Sequence, residues 1–204
     1  MEKRSVEDRL AEFGAAAQAR LATYLAAAGV PWPPNGATLV ALKDARRLEL
    51  YARGDDGASR FVRAWDILAA SGGPGPKLRE GDRQVPEGIY AVRGLNPNSA
   101  YHVSLRLDYP NVEDRAQAER DGRSDLGGDI MIHGREVSVG CLAMGDQAAE
   151  ELFLLAARCG PTNLRVLIAP TDLRQHPPPA TDQAWVAARY AMLAAELRRL
   201  PTPP

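Results

Sequence analysis

Apolar positions change period once along the first third of the chain. Val6, Leu10, Phe13, Ala17, Leu21 and Tyr24 recur at spacings of three and four, which places them on one face of a helix. Ser5 followed by Asp8 has the form of an acidic capping box, and Gly29 with Pro31 ends the run. Trp32-Pro33-Pro34-Asn35-Gly36 reads as a linker. From Thr38 the pattern becomes strand-like: Leu39 to Leu42 and Arg47 to Ala52 flank the polar Lys43-Asp44-Ala45-Arg46, predicting a hairpin, with Phe61 to Leu68 a third strand.

Further strands are expected over Val85–Val92, Ala100–Leu107, Asp129–His133 and Leu164–Ala169. Alternation in the second of these would put His102, Ser104 and Arg106 on one face. Between them, Gly72 to Asp82 is too rich in glycine and proline for regular structure and is expected to line a cleft. It lacks the order of a phosphate-binding loop. The polar stretch from Tyr109 to Gly128 reads as a solvated excursion with a short helix. Asp146 is placed to cap a helix from Gln147 to Arg158, with Ala148, Leu152, Leu155, Ala156 and Cys159 on its inner face. After the stiff Gln175–Pro179 connector, Trp185, Ala188, Met192, Leu193, Leu197 and Leu200 outline a terminal amphipathic helix. The chain thus divides into an N-terminal helix and linker (1–36), a central strand-rich body (37–170) and a connector with a C-terminal helix (171–204).

Chemistry concentrates in Asp129–Met144, where His133 and Cys141 lie eight positions apart with Gly140 immediately before the cysteine and Ser138 nearby. A thiol attacks as the thiolate, and an imidazole within reach is the usual group that takes its proton. Alternation sends Ile130 and Ile132 to one side of the strand and Met131 and His133 to the other. Glycine lets main-chain N–H groups near Gly140 and Cys141 approach a developing oxyanion. The alternative is structural: a buried cysteine behaving as a small apolar residue, and a hydrogen-bonded bystander histidine.

Hydrophobic residues make up 45% of the 204, charged residues 25%, and the formal net charge is −1, which describes one ordinary globular core. No basic excess exists to neutralise phosphates, so a nucleic-acid partner is disfavoured. Cys141 and Cys159 leave one possible disulfide, which would quench the proposed nucleophile. His102, His133 and His176 are scattered without CxxC or HExxH pairing, so no metal or other cofactor is implied. No membrane-length apolar run occurs. Met1-Glu2-Lys3-Arg4 and the segment to Ala28, interrupted by charges, are unlike a signal peptide core, so the expectation is either a cytoplasmic protein or an export signal outside this stretch.

Four stretches carry a family likeness: Gly75-Pro76-Lys77-Leu78-Arg79-Glu80-Gly81-Asp82-Arg83-Gln84 with Pro86-Glu87-Gly88, Leu95-Asn96-Pro97-Asn98-Ser99, Tyr109-Pro110-Asn111 with Asp114-Arg115, and Ile132-His133-Gly134 leading to Ser138-Val139-Gly140-Cys141. Through them the region from Leu39 to Ile168 resembles the L,D-transpeptidase catalytic domain of the YkuD type, in its YafK-like murein branch. The resemblance implies an α+β, mostly β, sandwich- or barrel-like domain with the end helices flanking it. It implies a cysteine enzyme that attacks peptidoglycan stem peptides through a thioester on Cys141, resolved by an amine or by water. His133 would be the base, the Gly134 carbonyl its orienting group, Ser138 a shaper of the motif, and Gly140 with Cys141 the oxyanion donors. Apart from the resemblance, Tyr101 and His102 are read either as lining the cleft or as ordinary strand residues. The partners implied are stem peptides and a murein-linked lipoprotein, and the place implied is the periplasm or cell envelope. Val139 stands where many members carry a second histidine and Ala143 where many carry arginine, so the grip on substrate near Cys141 is expected to differ from theirs; the YafK-like branch resembles this less basic form, and amide hydrolysis within that branch leaves transferase against hydrolase open. A non-catalytic envelope-binding module is the competing reading; a papain-like thiol hydrolase fits less well, because there the cysteine usually precedes the histidine.

Overall fold

The computed structural model describes residues 3–204; Met1 and Glu2, part of the opening read against a signal peptide, lie outside them. Helix α1 (Val6–Ala27) begins at the expected capping box, with the Ser5 hydroxyl accepting from the Asp8 N–H and the Asp8 carboxylate accepting from the Ser5 N–H. The strands are β1 (Ala37–Leu42), β2 (Arg47–Arg53), β3 (Ser59–Asp66), β4 (Gly88–Asn96), β5 (Ser104–Leu107), β6 (Met131–His133), β7 (Leu142–Ala143) and β8 (Leu164–Ala169). They form one sheet in the order β3-β2-β1-β8-β4-β5-β6-β7. Helices α2 (Val112–Arg120), α3 (Asp146–Cys159) and α4 (Ala184–Arg198) complete an α+β fold.

The sheet curls until its two ends meet. Past β3 the chain turns back so that Ala69 bridges Ala143 antiparallel, with the Leu68 N–H donating to the Ala143 carbonyl at 2.8 Å. A two-residue β7 is therefore held between β6 on one side and residues 68–69 on the other, which closes the sheet in the manner of a barrel.

Strand alternation sorts side chains into two apolar layers. Leu39, Ala41, Leu48, Leu50, Val166 and Ile168 pack with Phe13, Leu21 and Leu25 of α1 and Leu152, Phe153 and Leu155 of α3. Val40, Leu42, Tyr51, Leu167 and Ala169 face the other way, onto α4. The face that α4 buries keeps Leu193 and Leu197 as expected but also takes in Val186, Arg189 and Tyr190, while Trp185, Met192 and Leu200 are half-buried and Ala188 is exposed. The reason is polar. Arg189 pairs with Asp114 at 2.9 Å and the Tyr190 hydroxyl donates to Glu87 at 2.7 Å, so two non-aliphatic residues occupy the stripe that hydrophobicity alone would assign elsewhere. Glu87, fully buried, also accepts from Lys43 Nζ and from the Gly75 N–H, both at 2.9 Å, tying the glycine- and proline-rich loop to the sheet and to α4.

That loop is built rather than loose. The Asp82 carboxylate accepts from Lys77 Nζ at 2.7 Å and from the N–H groups of Leu78, Arg79 and Gln84. Cys141 and Cys159 are both free thiols, so no bridge joins them. No helix among the described residues is long and apolar enough to cross a membrane.

Candidate active site

Cross-strand register lays out one face of the β4-β5-β6-β7 region. Gly94 sits opposite Arg106, Arg106 opposite Met131, Ser104 opposite His133, and His133 opposite Ala143. Their partners of opposite parity, Leu105, Ile132 and Leu142, are fully buried in the core. Cys141, one residue before β7, continues the row beyond Met131, whose N–H donates to the sulfur at 3.4 Å. Facing residues on paired strands share a side, so Cys141 and His133 lie on the same face as diagonal neighbours. The alternation read from Ile130 to His133 holds, although His133 is itself only 2% exposed.

The histidine is fixed from two directions. Its Nδ1–H donates to the Gly134 carbonyl at 2.6 Å, an acceptor with no proton of its own, so Nε2 is left with the free lone pair. The Tyr101 ring lies over the imidazole with centroids 4.6 Å apart, while Tyr101 remains 43% exposed. Burial pulls the His133 pKa below its ordinary 6.5, against the opposing pull of the Gly134 hydrogen bond. Burial likewise pushes the Cys141 thiol above 9.0; the Met131 N–H works against it, the Asp129 charge adds to it, and Lys77 opposes. The sulfur also lies 3.5 Å from the Asp129 carbonyl, to which a thiol donates. Both shifts favour a neutral thiol beside a neutral imidazole rather than a standing thiolate–imidazolium pair. Among the described residues no hydrogen bond joins the two side chains, a gap common where catalytic contacts tighten on substrate binding.

Two expectations are corrected here. Gly140 and Cys141 do not present free N–H groups: the first donates to Ser71 Oγ at 2.7 Å and the second to Ser138 Oγ at 3.1 Å. A poorly hydrated backbone N–H takes an acceptor where one is offered, and two serine hydroxyls offer it. Nor do Tyr101 and His102 belong to a strand. They sit in a turn before β5, His102 with φ 74°. His102 points away from the sulfur, with Nε2 3.1 Å from Glu150 of α3, its ring 5.9 Å from that of Phe13, and its carbonyl accepting from Arg9 of α1. Of that pair only Tyr101 reaches the site.

Ser138 clasps the cysteine backbone, its hydroxyl donating to the Cys141 carbonyl at 2.8 Å while accepting from the Cys141 N–H. Gly140 takes φ 82°, a conformation glycine adopts without strain. Asp146 does not cap α3; Gly145, at φ 75°, holds that place, because the Asp146 carboxylate is committed to the Arg135 N–H at 2.9 Å. This bond ties the turn after His133 to the start of the helix. Ser71 is the residue that sequence reasoning missed. Its hydroxyl accepts from Gly140 and donates to the Arg83 carbonyl at 2.6 Å, coupling the cysteine turn to the Asp82 loop. No spacing rule flags a serine so far upstream. No group of three or more potential metal ligands occurs among the described residues.

The L,D-transpeptidase catalytic domain model, YkuD, matches residues 36–166, a span that begins just before β1 and contains both side chains. The chain belongs to this family. Among curated proteins, YafK of Escherichia coli strain K12 is 38% identical over 113 residues, 54% of this chain and 43% of YafK. YafK of E. coli O157:H7 matches equally. The match thus spans less than half the length of these relatives. Among solved structures, the helical cell shape determining protein Pgp2 from Campylobacter jejuni superposes with a TM-score of 0.53 at 21% identity, covering 85% of this chain and 59% of that one. At that identity the likeness is one of fold.

Proposed function

We propose that this family member is a cysteine acyltransferase or amide hydrolase acting on peptidoglycan stem peptides. The observation that carries the proposal is the placement of Cys141 and His133 on one sheet face, with Nδ1 of the histidine pinned to Gly134 and Nε2 free. Nε2 takes the thiol proton as sulfur attacks the carbonyl of a meso-diaminopimelate-type residue. The tetrahedral intermediate collapses to a thioester, the amide C–N bond breaks, and the proton on His133 passes to the departing amine. An amine then resolves the thioester, giving a new cross-link, or water does, releasing a murein-linked peptide or lipoprotein. Ser138 shapes the turn that presents the sulfur. Substrate chemistry of this kind assigns the protein to the periplasm or cell envelope.

The test is a digest of purified murein analysed for the bonds made and broken, alongside exposure to a penem. Wild-type protein should gain the mass of the penem on Cys141 and alter stem-peptide linkages, and Cys141→Ala should do neither while melting normally. An active Cys141→Ala protein overturns the proposal. Murein binding that is indifferent to alkylation of Cys141 would instead identify a non-catalytic binding module.

A further inference from the structure

A groove of about 780 Å³ opens on the sheet face that carries Arg106 and Met131, lined as far as Asp129 and Met131 but not by Cys141 itself. Two residues of its wall, Asp129 and Met131, are those whose carbonyl and N–H contact Cys141 Sγ. From there it runs across the sheet along the row Met131, Arg106, Gly94, and its remaining charged lining is Arg93, Asp108 and Arg115.

The charges are unequally matched. Arg106 pairs with Asp129 at 2.7 Å, and Asp108 accepts from the Ala91 N–H at 2.9 Å. Arg93 and Arg115 are exposed and have no carboxylate partner among the described residues. Arg93 reaches the groove because the β4–β5 register slips between Val92 and Gly94, leaving it as the extra residue of a bulge, a device that re-aims a side chain. Arg115 comes from the second turn of α2, which the Asn111 capping box fixes.

We propose that this groove binds a free carboxylate of the donor stem peptide, held by Arg93 and Arg115, and so selects donors carrying that charge. The inference rests on the stem-peptide reading above and adds to it a binding determinant. Neighbouring strands are about 4.8 Å apart, so the row from Cys141 through Met131 to Arg106 and Gly94 spans roughly 10–14 Å. An extended peptide advances about 3.3 Å per residue, which puts the captured carboxylate within some three or four residue-lengths of the attacked carbonyl. A donor stem tetrapeptide carries three such groups, on D-glutamate, on the far centre of meso-diaminopimelate and at the terminal D-alanine. Arginine forks match a carboxylate in geometry as well as charge.

The experiment measures dissociation constants by titration calorimetry, on Cys141→Ala protein so that nothing turns over. The ligands are synthetic L-Ala-γ-D-Glu-meso-diaminopimelyl-D-Ala and its three mono-amides, one at each carboxylate. One amide should bind at least about tenfold more weakly than the parent acid, the loss expected from one charge-assisted hydrogen bond, and which amide it is identifies the carboxylate. In the background carrying Arg93→Gln and Arg115→Gln the acid and that amide should bind alike, and the preference in the parent should shrink as salt is raised. Equal binding of all four ligands, a preference that survives both substitutions, or no binding at all overturns the proposal. Penem acylation of intact Cys141 reads the catalytic assignment independently, so the two can fail separately.

Discussion

Gly134 is the position where one methyl group should be felt furthest. A Cβ there would lie 2.6 Å from Asp146 Oδ1, 2.8 Å from the Tyr101 carbonyl and 3.0 Å from His102 Cβ. The first contact is with a side chain, but that carboxylate is held by the Arg135 N–H. The second is backbone, in a turn restrained by Ser99 Oγ on the Tyr101 N–H and by Arg9 on the His102 carbonyl. Relief must therefore come from a shift of the 101–102 turn or of His133 itself. Overpacking of this kind costs about 1–3 kcal/mol, which for a domain of this size lowers Tm by roughly 2–12 °C. Because the Tyr101 ring rests on the imidazole, the same shift turns the imidazole away from the sulfur, and under the proposed mechanism displacements near 1 Å lower rates about 100-fold. The assays are a thermal melt and the rate of penem acylation of Cys141 followed by mass. Gly73→Ala is the control, since a methyl there meets nothing within 4 Å. Should Gly134→Ala match wild type in both measurements, the glycine would not be the spacer that the geometry makes it.

Two further outcomes follow from buried charge. The folded chain binds the His133 proton less readily than the unfolded chain, so this residue's contribution to stability is fully present above pH 6.5 and is lost as pH falls through the lower folded value. Urea melts across that range should show the decline, His133→Gln should flatten it, and the acid limb of kcat/KM should lie below pH 6.5. Glu87→Ala would leave Lys43, also buried, without its carboxylate and should destabilise by about 3–5 kcal/mol, read by the same melts; a loss under 1 kcal/mol would mean that the Gly75 and Val85 carbonyls suffice for the ammonium.

Local pattern carried much of the fold. The capping box at Ser5, the hairpin at Lys43–Arg46 and the strand leading to His133 were each legible because a few adjacent residues determine them. The pairing of cysteine with histidine could also be proposed from spacing and likeness. What escaped was long-range polar satisfaction. Asp146 looked like a cap until Arg135 claimed its carboxylate, the inner face of α4 was set by Asp114 and Glu87, and His102 went to Glu150 rather than to the cleft. The partners of His102 and Tyr190 lie 48 and 103 positions away, and even the 11 positions between Arg135 and Asp146 match no local capping pattern. Ser71 belongs with them, since its importance arises only when the sheet curls.

The curled sheet has a bearing on when the thiol matures. The turn that carries Cys141 receives its hold from the far edge only when residues 68–71 come round, with Ala69 against Ala143 and the Ser71 hydroxyl on the Gly140 N–H, an entropically demanding closure over 69 positions. The Met131 and Ser138 contacts are local and need no such closure, so the restraint that completes the surroundings of the sulfur is the one brought from the opposite end of the sheet.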